Sequence, residues 1–165
     1  MKRYSKLTTI VLMTALAISS GYLLSFLPNV ELVLPIIFIS GFITGISGGA
    51  ITGFLTFIIY GYFNPYGPSP IYLLLSQCIG GGISGVFGGI YKRLRDNIFL
   101  CGLFGFFLTF IYDLITTITG FFLFPTKQTF FAYIISGIIF YIIHLLSATA
   151  IFTIIIYPLT RRLKI

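Results

Sequence analysis

The feature of this sequence that most constrains its fold is a charge-free run. The sixty residues from Leu32 to Tyr91 contain no Asp, Glu, Lys, Arg or His. A soluble domain needs a charged surface, yet 8% of this chain is charged and 58% is hydrophobic, so lipid must solvate most of it. Because a transmembrane helix takes about 20 residues, this run alone holds about three of them. The sequence therefore predicts an all-α integral membrane protein.

Turn-forming residues divide the chain into six predicted transmembrane helices within a single membrane domain, 1–165. The glycine-rich stretch 45–49 and the Pro- and Gly-rich loop 64–70 interrupt the charge-free run. The first apolar stretch follows a basic N-terminus and continues uncharged to Leu27, so we expect a retained helix and not a cleaved signal peptide. The predicted helices cover about 7–27, 32–46, 48–63, 70–91, 98–124 and 129–157.

The basic residues test this count through the positive-inside rule. Six crossings leave Lys127 alone on one side and place nine basic residues on the other: Lys2, Arg3, Lys6, Lys92, Arg93, Arg95, Arg161, Arg162 and Lys164. Five or seven crossings would destroy this bias. Both termini are therefore predicted to be cytoplasmic, in a multi-pass protein of the cell membrane. Nucleic acid is not an expected partner, because the basic residues form no continuous stripe.

Small residues recur every fourth position, a spacing that lets helix backbones approach closely in lipid. The glycines with this spacing are Gly41, Gly45, Gly49 and Gly53 in the second and third helices and Gly81, Gly85 and Gly89 in the fourth. Ordinary packing within the bundle accounts for all of them. The first helix carries the pairs Ala15–Ser19 and Ala17–Gly21. Their spacing is compatible both with packing inside the bundle and with docking of a partner.

Polar side chains from several predicted segments fall in the outer half of the membrane. They are Glu31, Asn64, Tyr66, Gln77, Asp113 and Thr117. A carboxylate at bilayer depth costs about 2.5–3.5 kcal/mol, so such an acid is a functional candidate. Taken singly, Glu31 could cap a helix, Asn64 could form a turn and Gln77 could bond a neighbouring helix. Together they predict a substrate-binding site open to the outside, for a ligand rich in hydrogen-bond donors.

The single histidine, His144, is expected elsewhere. Counted from the start of the sixth helix, it lies about 22 Å below the outer end, in the cytoplasmic half. An interhelical hydrogen bond is the expected role, since a lone histidine makes a poor metal site. Direct cooperation with Asp113 is not expected at this difference in depth. The chain has no Ser-His-Asp or zinc-protease pattern, so no catalytic residue, metal or cofactor is predicted.

Three short motifs carry a family resemblance: Pro28-Asn29-Val30-Glu31, Phe63-Asn64-Pro65-Tyr66-Gly67-Pro68 followed by Gln77, and Phe110-Ile111-Tyr112-Asp113-Leu114. Through them the chain resembles the substrate-binding (S) components of energy-coupling factor (ECF) transporters. The resemblance implies a six-helix, non-enzymatic subunit that captures a vitamin or similar micronutrient from outside. It would dock on a transmembrane coupling subunit driven by two ATPase subunits. No P-loop occurs in this chain, which fits ATP hydrolysis on those partners.

The resemblance also implies that Ala15 and Ser19 form part of the docking face, with serine where the family usually has a second alanine. Two other functions stay open. One is a membrane-embedded enzyme with Asp113 and His144 as acid and base. The other is a structural or assembly membrane protein without a ligand, in which Glu31 and Gln77 would point to unrelated places.

Overall fold

A computed structural model describes residues 3–94 and 97–163, and within these ranges the secondary structure is entirely helical. The helices are α1 (Arg3–Leu23), α2 (Val33–Thr44), α3 (Ile46–Tyr62), α4 (Ile71–Tyr91), α5 (Ile98–Leu123), α6 (Phe130–Ser136), α7 (Ile138–Ile151) and α8 (Tyr157–Leu163), with a π-helical turn, Phe152–Ile156, joining α7 to α8. The predicted helical class is confirmed. Lys2, Arg95, Lys164 and the side chain of Arg3 lie outside what the structure describes.

Four helical segments are long and apolar enough to cross a membrane, by length and composition. They are Ser5–Leu23, Ile71–Tyr91, Ile98–Leu123 and the continuous segment Ile138–Leu163. The apolar helices α2 and α3 are shorter, with 12 and 17 residues, or about 18 and 26 Å at 1.5 Å per residue. Many Leu, Ile and Phe side chains of the surrounding helices are exposed. These features identify the chain as a helical membrane protein.

Helix α2 forms the centre of the bundle, and ten of its twelve residues are buried. In the middle of α2, Phe38 packs with Tyr91 of α4 and with Phe152 of the π-helical turn. Near its N-terminus, Leu34 belongs to a second buried cluster that includes Phe57 of α3. Because lipid is as apolar as these side chains, close van der Waals packing stabilises the arrangement more than hydrophobic transfer does.

The backbones of α2, α3 and α4 meet along the predicted glycine stripes. A Cβ atom on Gly85 would overlap the backbone of Gly49, and one on Gly41 or Gly53 would overlap the backbone of α4. The close approach that the glycine spacing predicts is therefore present. Gly45 alone connects α2 to α3 with φ of 85°, a left-handed conformation that glycine adopts at little cost.

Gly85→Ala is expected to destabilise the bundle, because the new methyl group forces α3 and α4 apart. Overpacking of this kind costs about 1–3 kcal/mol, which corresponds to a melting temperature lower by roughly 2–12 °C. Thermal unfolding in detergent measures the change. The matched control is Gly120→Ala, whose Cβ would meet only the Tyr133 hydroxyl at 3.3 Å. Equal melting temperatures for the two variants would contradict this packing.

The sixth apolar segment is divided, where one helix over 129–157 was predicted. Helix α6 ends at Ser136, Gly137 interrupts the segment, and the long helical run begins at Ile138 and continues to Leu163. Glycine is disfavoured inside helices by about 1 kcal/mol relative to alanine, which makes this position a weak point. His144 consequently lies only six residues, about 9 Å, from the start of its long helix. The other helix boundaries differ from the predicted ones by at most four residues.

Candidate ligand-binding site

A cavity of about 410 Å³ lies at the end of the bundle away from the N-terminus, where α1 leads into α2. This volume is within the range of small-molecule sites. The connection between α1 and α2 forms much of the wall, and side chains from α3, α5 and α7 complete it. The polar and aromatic residues of the wall are Ser25, Asn29, Glu31, Tyr60, Tyr66, Tyr112, Asp113 and His144.

Three ionisable side chains from different parts of the chain meet in this wall. His144 Nδ1 lies 2.8 Å from Asp113 Oδ1, and His144 Nε2 lies 3.6 Å from Glu31 Oε1, which is too long for a hydrogen bond. An ionised carboxylate only accepts hydrogen bonds, so Nδ1 donates its N–H to Asp113. The side chains of His144, Asp113 and Glu31 are 9%, 14% and 28% exposed.

Each member of this cluster keeps a buried atom without a hydrogen-bond partner among the described residues. These atoms are Glu31 Oε1, Asp113 Oδ2 and His144 Nε2. Leaving such a group unsatisfied costs about 1–3 kcal/mol, and more when it is charged. Helix capping does not account for Glu31, because no side chain caps the N-terminus of α2. Glu31 Oε1 and His144 Nε2 contact each other only at 3.6 Å, and Asp113 Oδ2 has no hydrogen-bond partner among the described residues. Such groups in a cavity wall are expected of a site that binds a polar ligand.

Hydrogen bonds at both ends hold the α1–α2 connection over the cavity. Tyr66, in the loop between α3 and α4, donates through its hydroxyl to Ser25 O at 2.6 Å. On the other side Ser147 of α7 donates to Asn29 O at 2.8 Å. Asn29 has φ of 59°, a conformation that asparagine tolerates better than most residues. Because Ser147 lies one turn after His144, this second bond brings Glu31 towards the histidine.

Two tyrosines add aromatic surface to the cavity. The Tyr60 hydroxyl donates to Gly21 O at 3.4 Å. The Tyr112 ring packs on the Phe57 ring, with their centroids 5.3 Å apart. A Cβ on Gly80 would meet the Tyr112 ring at 2.6 Å, so this glycine lets the ring lie close to α4. Neither Tyr60 nor Tyr112 is among the residues that the sequence predicts for the site.

Three of the six predicted site residues, Glu31, Tyr66 and Asp113, line the cavity, and the other three do not. Asn64 accepts a hydrogen bond from the Tyr66 backbone N–H at 2.9 Å, which is an Asx turn.

Gln77 lies near Gly61 between α3 and α4, where a Cβ on that glycine would be 3.4 Å from its Oε1. Its Oε1 is buried without a partner among the described residues. Thr117 shares a hydrogen bond of 2.9 Å with the Tyr141 hydroxyl. It lines a separate apolar cavity of about 180 Å³ that also contacts Asp113.

The expectation that His144 and Asp113 lie at different depths is wrong, since the two side chains share a hydrogen bond of 2.8 Å. Depth was counted from the start of the whole sixth segment, whereas the long helix begins only at Ile138. The expected interhelical hydrogen bond of His144 is confirmed. Gly137 was the signal that could have placed the histidine correctly, because an isolated glycine weakens a helix.

On α1 the two small-residue pairs face in different directions. Ala15 and Ser19 are exposed, whereas Ala17 and Gly21 are buried. A Cβ on Gly21 would lie 2.9 Å from the Tyr60 ring, so the second pair packs inside the bundle. The pair assigned to docking lies on the outer surface of the helix.

No family model matches this chain, and no curated protein and no solved structure is significantly similar to it.

Proposed function

We propose that this chain is the substrate-capture subunit of an ECF-type importer in the cell membrane. It crosses the bilayer six times with both termini in the cytoplasm, and it binds a vitamin-like micronutrient in an outward-facing cavity. It then docks on a transmembrane coupling subunit that works with two ATPase subunits. The observation that carries this proposal is the convergence of Glu31, Asp113 and His144 in the cavity wall, each with an unsatisfied buried atom.

The orientation follows from the basic residues. Among the described residues, Lys6, Lys92 and Arg93 line a cavity at the end of the bundle that holds the start of α1. By the positive-inside rule this end faces the cytoplasm, so the cavity at the far end of α1 opens outwards. Helices α2 and α3 are short for a full crossing, and the surrounding longer helices cover α2. Six crossings then place the Asp113 cluster in the outer half of the membrane.

Cysteine labelling tests this topology. A cysteine at Tyr66, which is 79% exposed, should react with a membrane-impermeant maleimide in intact cells. One at the exposed Arg93 should react only after the cells are permeabilised. The native Cys78 and Cys101 are buried and provide the background in the unsubstituted protein. Labelling of both positions from the same side would contradict the single crossing that α4 makes between Tyr66 and Arg93, and with it the six-helix topology.

The proposed docking surface includes the exposed pair Ala15 and Ser19, because small side chains allow a partner helix to approach closely. Replacing both with Phe should remove the coupling and ATPase subunits from an affinity purification out of native membranes, with at least tenfold lower recovery. The bound small molecule should still be recovered.

Ala150→Phe is the control for this experiment, since Ala150 is also an exposed small residue but lies on α7. It should leave partner recovery unchanged. Unchanged recovery with the Ala15 and Ser19 variant, or equal loss with Ala150→Phe, would remove the docking assignment.

A membrane-embedded enzyme is the second candidate, and the bond between Asp113 and His144 favours it. A carboxylate that accepts a hydrogen bond from Nδ1–H orients an imidazole so that Nε2 can act as a base. The two functions differ in what happens to the ligand. A capture subunit releases the molecule unchanged, whereas an enzyme converts it. Mass spectrometry of the ligand after prolonged incubation with the purified protein distinguishes them.

A further inference from the structure

We propose that the cavity binds an organic cation, a small molecule with a protonated amine or equivalent N–H donors held between Glu31 and Asp113. This inference rests on the proposed capture function and names the chemical class of the substrate. It follows from the charge of the cavity, from the type of its unsatisfied atoms and from its aromatic wall.

Counted with both carboxyl groups ionised, the cavity wall has a negative formal charge in either protonation state of His144. Its wall contains two carboxylates, Glu31 and Asp113, and no Lys or Arg among the described residues. With His144 as imidazolium the three side chains sum to one negative charge, and with neutral His144 they sum to two. Buried charge without compensation is unfavourable. A cationic ligand supplies that compensation, whereas an anionic ligand adds repulsion.

The unsatisfied atoms also require donors from the ligand. Glu31 Oε1 and Asp113 Oδ2 are buried without partners among the described residues, and a carboxylate oxygen only accepts hydrogen bonds. His144 acts as a positioning residue, because its Nδ1–H occupies Asp113 Oδ1 at 2.8 Å. Its own side chain is 9% exposed and lines the cavity, and its Nε2 lies 3.6 Å from Glu31 Oε1 without a hydrogen bond. Asp113 Oδ2 has no hydrogen-bond partner among the described residues, so it is the atom that most directly needs a donor from the ligand.

Aromatic rings complete the recognition. Tyr60, Tyr66 and Tyr112 line the same cavity, and the faces of aromatic rings attract cations. A tyrosine wall with two acids suits a cation that also has apolar surface. A bare metal ion fits less well, because no group of three or more His, Cys, Asp or Glu within 3–94 and 97–163 has the geometry to hold one.

The test uses matched compounds that differ only in charge. Thermal stabilisation of the purified full chain is titrated with an arylalkyl amine series starting from benzylamine, with the corresponding alcohols and carboxylates, and with zinc chloride alone. We expect the amines to bind at least tenfold more tightly than the alcohols and carboxylates. Glu31→Gln and Asp113→Asn should each abolish this preference. Thr119→Val should retain it, because Thr119 lies on α5 outside this cavity and its hydroxyl bonds only the Ile115 carbonyl among the described residues.

Stabilisation by alcohols or carboxylates equal to that by amines would overturn the inference, as would stabilisation by zinc alone. So would a series in which no amine stabilises the chain, or a preference that survives both acid substitutions. None of these outcomes affects recovery of the coupling and ATPase subunits, which tests the capture function separately.

Discussion

Asp113→Asn is expected to weaken binding of the captured molecule by about ten- to a hundredfold while the protein stays folded. The amide oxygen can still accept the hydrogen bond that His144 Nδ1 donates to Oδ1 at 2.8 Å. The amide NH₂ then replaces Oδ2, the unsatisfied atom, so an acceptor becomes a donor and a charge is lost. A hydrogen bond to a charged group contributes about 1.5–3 kcal/mol, and each 1.4 kcal/mol is about tenfold in affinity.

Melting temperature and ligand affinity should be measured on the same Asp113→Asn sample, with the ligand identified by mass spectrometry of the wild type. Stability is expected to change little, because the substitution removes a charge that is costly at bilayer depth. If Asp113 has only a structural role, the result reverses: the melting temperature falls and the affinity of the surviving protein is unchanged. That outcome would remove Asp113 from the binding site.

The second large effect is expected for His144→Leu. This change deletes the donor to Asp113 and leaves two carboxylates facing each other without a cation. Breaking a buried pair by removing one partner costs about 3–5 kcal/mol. At about 2–4 °C per kcal/mol for a chain of this size, the melting temperature in detergent should fall by roughly 10 °C.

The double variant His144→Leu with Asp113→Leu is the control, because it removes the stranded carboxylate together with its partner. It should be more stable than His144→Leu alone. With the single variant Asp113→Leu completing a double-mutant cycle, the interaction energy should be about 1–3 kcal/mol. A double variant as unstable as the sum of the single changes would mean that the two side chains do not interact energetically.

The sequence was sufficient for the helical membrane class and for part of the site. The charge-free run from Leu32 to Tyr91 predicted an apolar bundle, and the glycine spacing predicted where α3 and α4 touch. Predicting that Glu31 and Asp113 lie at the same end of the bundle required only the order of the segments and the rise per residue of a helix. Both residues line the cavity.

The structure differs from the sequence-based expectations where a local helix break or rotation sets the position of a side chain. The break at Gly137 moved the start of the long helix to Ile138 and brought His144 level with Asp113. Thr117 follows Asp113 by one turn, yet it bonds Tyr141 and lines the neighbouring apolar cavity. Four residues rotate a helix by 40° beyond a full turn, and Thr117 borders only the smaller cavity whereas Asp113 borders both.

Two further predicted site residues, Asn64 and Gln77, do not line the cavity. Asn64 is engaged in a turn with the Tyr66 backbone, and Gln77 lies between α3 and α4. Tyr60 and Tyr112 went unrecognised because an aromatic residue in an apolar helix has no sequence signal that separates cavity lining from packing. Hydrophobic periodicity could not predict the path of the α1–α2 connection either. Hydrogen bonds to the carbonyl oxygens of Ser25 and Asn29 fix that path.

One affinity purification from native membranes, with mass spectrometry of both proteins and small molecules in the eluate, tests the proposed function most directly. For the wild-type chain we expect a coupling subunit, two ATPase subunits and one small molecule in amounts comparable to the chain. The Asp113→Asn variant should retain the subunits and lose most of the small molecule. A wild-type chain that elutes with neither the subunits nor a small molecule would contradict its assignment as the capture subunit of an importer.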